Sequence, residues 1–325
     1  MKKMLLLAAA LAAAPASLCA AEPPPPADPL TVRIHAEDAD RFASLFARTG
    51  GAPTAAQLQA EYLDGASYGV EVFTPHRIRN AEHLAAAIAK NPDSYRRAIA
   101  TCLPAAKEAE ADLRSVYLGM RGLLPKAKLP QIYLVFGAGN SGGTAGPGAQ
   151  VLGLETLCAV SDGPAAFKTL LRSFYAHETV HTFQQQPGAL ARKSPLLTAV
   201  LTEGAADFIT SLVTGEVPDL KRAEWAKARE AELWRHFTAD LDTTRDEGLR
   251  SAADGSPEQK AFLRWVGNYS RAPEGWPHEV GYWLGMRIWQ SYFAAAPDKH
   301  KAIRDVLEWT DPEAVLKASG YKGGR

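Results

Sequence analysis

The feature that most constrains this chain is a helix that must bury one face and carry two histidines at its end. Asp162 and Pro164 open it, and Phe167, Leu170, Leu171 and Phe174 recur at the spacing of a core-facing stripe. The stripe runs directly into His177-Glu178-Thr179-Val180-His181. On an α-helix, positions i and i+4 share one face. Two imidazoles from a single turn can therefore ligate one zinc ion, with Glu178 beside them able to reach a metal-bound water without being a ligand.

A catalytic zinc site needs a third protein ligand and an open fourth position. Glu203 lies 22 residues after His181, on a second expected helix over about 195–214. It completes a His/His/Glu set of His177, His181 and Glu203 for one Zn2+ per chain. Asp207 is at i+4 from Glu203 and suits a hydrogen bond to a ligand histidine, which would fix its tautomer. Gly204, Ala205 and Ala206 are small enough for close helix packing. A donor to a tetrahedral oxyanion is sought in Pro277-His278-Glu279-Val280-Gly281-Tyr282. With Pro277 as the first residue of a helix to about 294, His278 and Tyr282 share a face. Gly281 and Gly285 read as a close-packing pair.

HETVH, the following E-x-x-x-D helix and the VGYWLG segment at 280–285 resemble the gluzincins, the thermolysin-like zinc metallopeptidases. With an export signal they also resemble a bacterial family of exported predicted zinc-dependent proteases. The resemblance spans about 130–290. It implies an α+β, predominantly helical, zincin-like fold with a small sheet over the HExxH helix. It implies peptide-bond hydrolysis by zinc-activated water on a peptide or protein substrate. Glu178 is then the base, and Tyr282 or His278 the oxyanion donor. The aminopeptidase pattern G-x-M-E-N is absent, and Cys102 in TCLP lacks the context of a zinc-plugging propeptide cysteine. Two other readings keep the zinc site: a catalytically inactive zincin-fold binding protein, and a zinc hydrolase of a non-peptide amide or ester.

The N-terminus sets the compartment. Lys2 and Lys3 precede an apolar run from Met4 to Leu11 and Ala-rich sequence to Ala20. This is the pattern of a signal peptide over 1–20, too short for a good membrane span, and it implies a periplasmic or secreted protein. Lipid attachment at Cys19 fits less well, because Leu18 stands where a small residue is wanted. No later segment is read as membrane-spanning. Without the signal, Cys102 and Cys158 remain, enough for one disulfide or two buried thiols. Lys+Arg and Asp+Glu both number 36, so no basic field points to nucleic acid.

Four stretches follow: the signal 1–20, a Pro-rich extended linker 21–29, a helical N-terminal region 30–125, and a catalytic domain 126–325. Strands are expected at 31–36, 132–136 and 151–157, with the last bordering a peptide cleft. Gly137, Gly139 and Gly142 spell the dinucleotide fingerprint. No helix opens at the last glycine and Pro147 follows, so the mechanism of that fingerprint is missing. The segment reads as a loop at the rim of the cleft. All seven tryptophans lie after residue 220, which marks a packed helical C-terminal part.

Overall fold

The computed structural model describes residues 22–185, 188–245, 249, 253–269 and 271–324. The expected signal peptide at 1–20 lies outside them. The fold is α+β: mostly helical, with one small mixed sheet of four strands. The described residues divide into two compact units, 22–182 and 183–324.

In unit 22–182 the sheet runs in the order β1-β2-β4-β3, with β1 Ile34–His35, β2 Gln131–Val135, β3 Gly143–Gly146 and β4 Ala149–Gly153. β1 and β4 each pair parallel with β2, and β3 pairs antiparallel with β4. The β1–β2 pairing ties the helical N-terminal region to the sheet, so residues 30–125 share a unit with the strands that were assigned to the next stretch. The segment after residue 21 is held against its unit. Ala27 is buried and donates to the Leu129 carbonyl at 2.8 Å, and Gln131 donates to the Pro25 carbonyl at 2.9 Å. An aromatic core fills one side of the sheet, with Phe42 stacked on Phe136 at 4.4 Å and Tyr62 edge-on to Phe42 at 5.1 Å.

Three strand expectations change. The first strand is only Ile34–His35. The segment 151–157 is a strand only to Gly153, and Leu154–Ala159 is helical. β4 also lies inside the sheet, hydrogen-bonded on both sides, so it offers no edge to a peptide; β3 is the edge. β3 itself comes from the Gly-rich stretch read as loop. Pro147 and Gly148 turn the chain between β3 and β4, and Gly148 takes φ +67°, as the third position of a Pro-Gly turn requires. Cys102 and Cys158 form a disulfide.

Unit 183–324 is helical. Its centre is the pair Pro195–Thr214 and Val280–Ala295, which cross at two glycines. A Cβ on Gly204 would sit 2.2 Å from the Gly285 backbone, and one on Gly285 would sit 1.9 Å from the Val200 carbonyl oxygen. The expected close packing at Gly204 is thus made with Gly285. Trp289 donates to the Leu201 carbonyl at 2.9 Å, and Trp265 to Asp240 at 2.8 Å. Pro195–Thr214 is long and apolar enough to cross a membrane, contrary to the expectation for the later chain. Most of it is buried within its unit, as in a core helix.

Candidate metal centre

The HExxH motif ends the helix Pro164–His181. Gly163 caps it and Pro164 takes the first turn, where its missing N–H is harmless. Its buried stripe is Phe167, Leu171, Tyr175, Ala176, Thr179 and Val180. Leu170 and Phe174 are half-buried, so the stripe is rotated from the expected one. Two polar bonds fix the helix on the sheet from within. Gln150 of β4 donates to the Phe174 carbonyl at 2.8 Å, and Thr179 donates to Gln150 Oε1 at 3.2 Å. With Thr179 and Val180 facing inward, His177, Glu178 and His181 take the half-buried side.

The two histidines converge. Their Nε2 atoms are 3.1 Å apart, and the rings lie 4.8 Å apart between centroids at 80°. Glu178 faces the edge strand, where a Cβ on Gly143 would lie 3.8 Å from its carboxylate carbon. Arg77 is within electrostatic range of Glu178; burial pulls its guanidinium down from the usual arginine range and Glu178 opposes this.

The Gly-rich loop is closed by a residue the sequence reading did not single out. Glu155 is fully buried and accepts from the backbone N–H groups of Gly137 and Gly139, both at 3.0 Å. A carboxylate thus occupies the donors that a nucleotide phosphate would need, which removes the dinucleotide reading. Burial raises the Glu155 carboxyl, and the backbone donors oppose that rise.

Glu203 and Asp207 stand on Pro195–Thr214 in the other unit. Asp207 pairs with the buried Arg222 at 2.9 Å, and the Arg222 guanidinium lies 5.2 Å over the Tyr282 ring. Tyr282 is held within electrostatic range of Glu203. Burial first, then Glu203 and Glu279, push its phenol well above the usual range, so it stays a proton donor. Arg222 and Glu279 carry no recognisable motif, and the sequence reading missed both.

His278 does not share a helix face with Tyr282. The helix begins at Val280, and Glu279 precedes it with φ +57°. The reason is a polar knot. Glu279 accepts from the N–H groups of Gly267 and Asn268 at 3.1 and 3.0 Å, and donates its own N–H to the Asn268 side chain at 2.9 Å. These bonds satisfy the turn better than a helix started at Pro277 would. His278 Nδ1 lies 3.2 Å from the Asn268 carbonyl oxygen, and its ring stacks on Tyr269 at 5.4 Å.

The comparisons correct the expected resemblance. Residues 172–323 match the family model GldB_lipo, described as gliding motility protein GldB. The matched segment is just under half the chain and contains His177, Glu178, His181, Glu203, Asp207, His278 and Tyr282. The expected gluzincin membership, and the peptide-bond hydrolysis it implied, are overturned by this match: the motif-bearing segment is similar to a gliding-motility family and not to a protease family. No curated protein and no solved structure matches the chain.

Proposed function

We propose that this chain is an exported cell-envelope protein that holds one zinc ion on His177, His181 and Glu203. The observation that carries the reading is the imidazole pair, whose Nε2 atoms face each other at 3.1 Å. A tetrahedral zinc ion with bonds of about 2.0–2.1 Å sets two nitrogen ligands about 3.3 Å apart. The observed separation is within a few tenths of an ångström of that span, so one cation would fit both rings with little movement. Glu203, expected from its spacing as the third ligand, would complete a His/His/Glu set that suits zinc.

Zinc held by three protein ligands would lower the pKa of a bound water. Glu178 is the group we assign to take up a proton there. Tyr282, kept protonated by burial, is the group we assign as hydrogen-bond donor. Asp207 acts on the site through Glu203's own helix, which its bond to Arg222 anchors.

An envelope location is supported by the charged and apolar start of the chain, by the disulfide, which forms in oxidising compartments, and by the family match. Gliding motility, the role named for the matched family, is the setting we propose.

The test is zinc titration of metal-free protein against a chromophoric chelator. The expected result is one tight site per chain, weakened by more than about 100-fold in His177→Ala, His181→Ala and Glu203→Gln, since even outer-shell losses cost about 10–100-fold. Variants that bind like the wild type would overturn the site.

A further inference from the structure

Arg77 sits on a π-helical turn, Thr74–Ile78, that ends in Arg79 at φ +68°. A non-glycine residue in that region is strained, and π-turns and such strain are frequent at functional sites. The turn is also tied to the Gly-rich loop, since the Asn140 side chain donates to the Arg77 carbonyl at 2.9 Å. The Arg77 side chain is half-buried. Its Nε is buried with no hydrogen-bond partner, and no ion pair joins it to an acid among the described residues. Glu178 acts on it only through space. Arg41 is compensated by Asp38 and Arg97 by the Ser161 carbonyl, whereas Arg121 shares the buried, unpartnered Nε but has no tie to the Gly-rich loop or to Glu178 among the described residues. A guanidinium N–H withdrawn from water without a partner is destabilising. A cation kept in that state within electrostatic range of the HExxH glutamate has the character of an unfilled receptor.

We infer that Arg77 receives an anionic group, a carboxylate or a phosphate, of the ligand that occupies the site beside Glu178. Its planar fork matches either oxyanion with two parallel bonds. The parts come from one unit: Arg77 on the π-turn, Asn140 of the loop bonded to the Arg77 carbonyl, and Glu178 against the β3 edge at Gly143. The inference rests on the reading that the motif helix lines a ligand site, and it assigns that ligand a negative charge.

The experiment is thermal unfolding of metal-free wild type, Arg77→Met and Arg77→Lys in a non-coordinating buffer, with acetate or inorganic phosphate as probes. Without a probe, Arg77→Met is expected to melt at or above the wild type, because an unpaired buried charge is gone. A saturating probe is expected to raise the wild-type midpoint by at least about 2 °C and to leave Arg77→Met unmoved. Arg77→Lys, which keeps the charge but loses the fork, should retain less than half of that rise, and it serves if the methionine variant does not fold. A rise with acetate assigns a carboxylate, and a rise with phosphate alone assigns a phosphate. If Arg77→Met melts well below the wild type without probe, or if wild type and variants respond alike to both anions, the inference is overturned. Zinc uptake measured on the same samples separates this from the metal site: Arg77→Met should bind zinc as the wild type does, and failure of both proteins to bind it would count against the zinc proposal alone.

Discussion

Replacing Asp207 by Ala leaves Arg222 buried without its carboxylate. The two side chains are 4% and 8% exposed and their bond is 2.9 Å long. Breaking such a pair from one side costs about 3–5 kcal/mol, because the surviving charge is stranded. Here the lower end applies. Arg222 Nε keeps the half-exposed Asp219 carboxylate at 4.0 Å, and the Tyr282 ring lies beneath the guanidinium. A loss of about 3 kcal/mol is a large share of the roughly 5–15 kcal/mol typical of a folded domain. The double variant Asp207→Leu/Arg222→Met removes both charges and should recover most of it. Urea unfolding followed by tryptophan fluorescence is the assay. All seven tryptophans lie after residue 220, so the signal reports the unit that holds the pair. With a slope of about 1–3 kcal/mol per molar urea, the midpoint of Asp207→Ala should fall by about 1–3 M at unchanged slope. A shift under about 0.3 M, or a double variant no more stable than Asp207→Ala, would refute the reasoning.

Reduction of Cys102–Cys158, or Cys102→Ser, should lower stability by about 4 kcal/mol from loop closure over 56 residues, read as a denaturant midpoint with and without reductant. Gly285→Ala should cost about 1–3 kcal/mol, because its methyl meets the Val200 carbonyl and two helices must part; a calorimetric midpoint equal to the wild type's would contradict the crossing. Burial raises the Glu155 carboxyl in the folded state. The folded chain therefore holds that proton to higher pH than the unfolded chain, and stability is lost as pH rises from the unfolded carboxylate value through the folded one. The wild-type advantage over Glu155→Gln should accordingly shrink between acid and neutral pH in paired denaturation curves, and an advantage that grows would show the sign to be wrong.

What the sequence made legible is what local periodicity and spacing encode. The motif helix was found because Pro164 and an apolar stripe mark it, and the helix at 195–214 stands where the pattern put it. The stripe's exact face was not legible. Gln150 and Thr179 pull the helix onto the sheet through polar bonds that hydrophobic spacing does not register. β3 was hidden because Gly143, Ala145 and Gly146 disfavour a strand and only Thr144 favours one. Its pairing partner β4 imposes the extended form, and the Pro147-Gly148 turn was the one local signal. The late helix start at Val280 depends on Asn268, eleven residues before Glu279, and on a positive φ at a glutamate, which no propensity anticipates. The partnering of Asp207 with Arg222, and of Glu155 with the glycine loop, joins residues with no motif between them. The HExxH spacing pointed to a metal, and nothing in it fixed the family.

The most direct test of the zinc site is elemental analysis of the purified wild type beside His181→Ala, after zinc has been supplied and excess removed. The account predicts about one zinc per wild-type chain and none retained by the variant. A wild type that takes up no zinc, or a variant that holds as much, would contradict it.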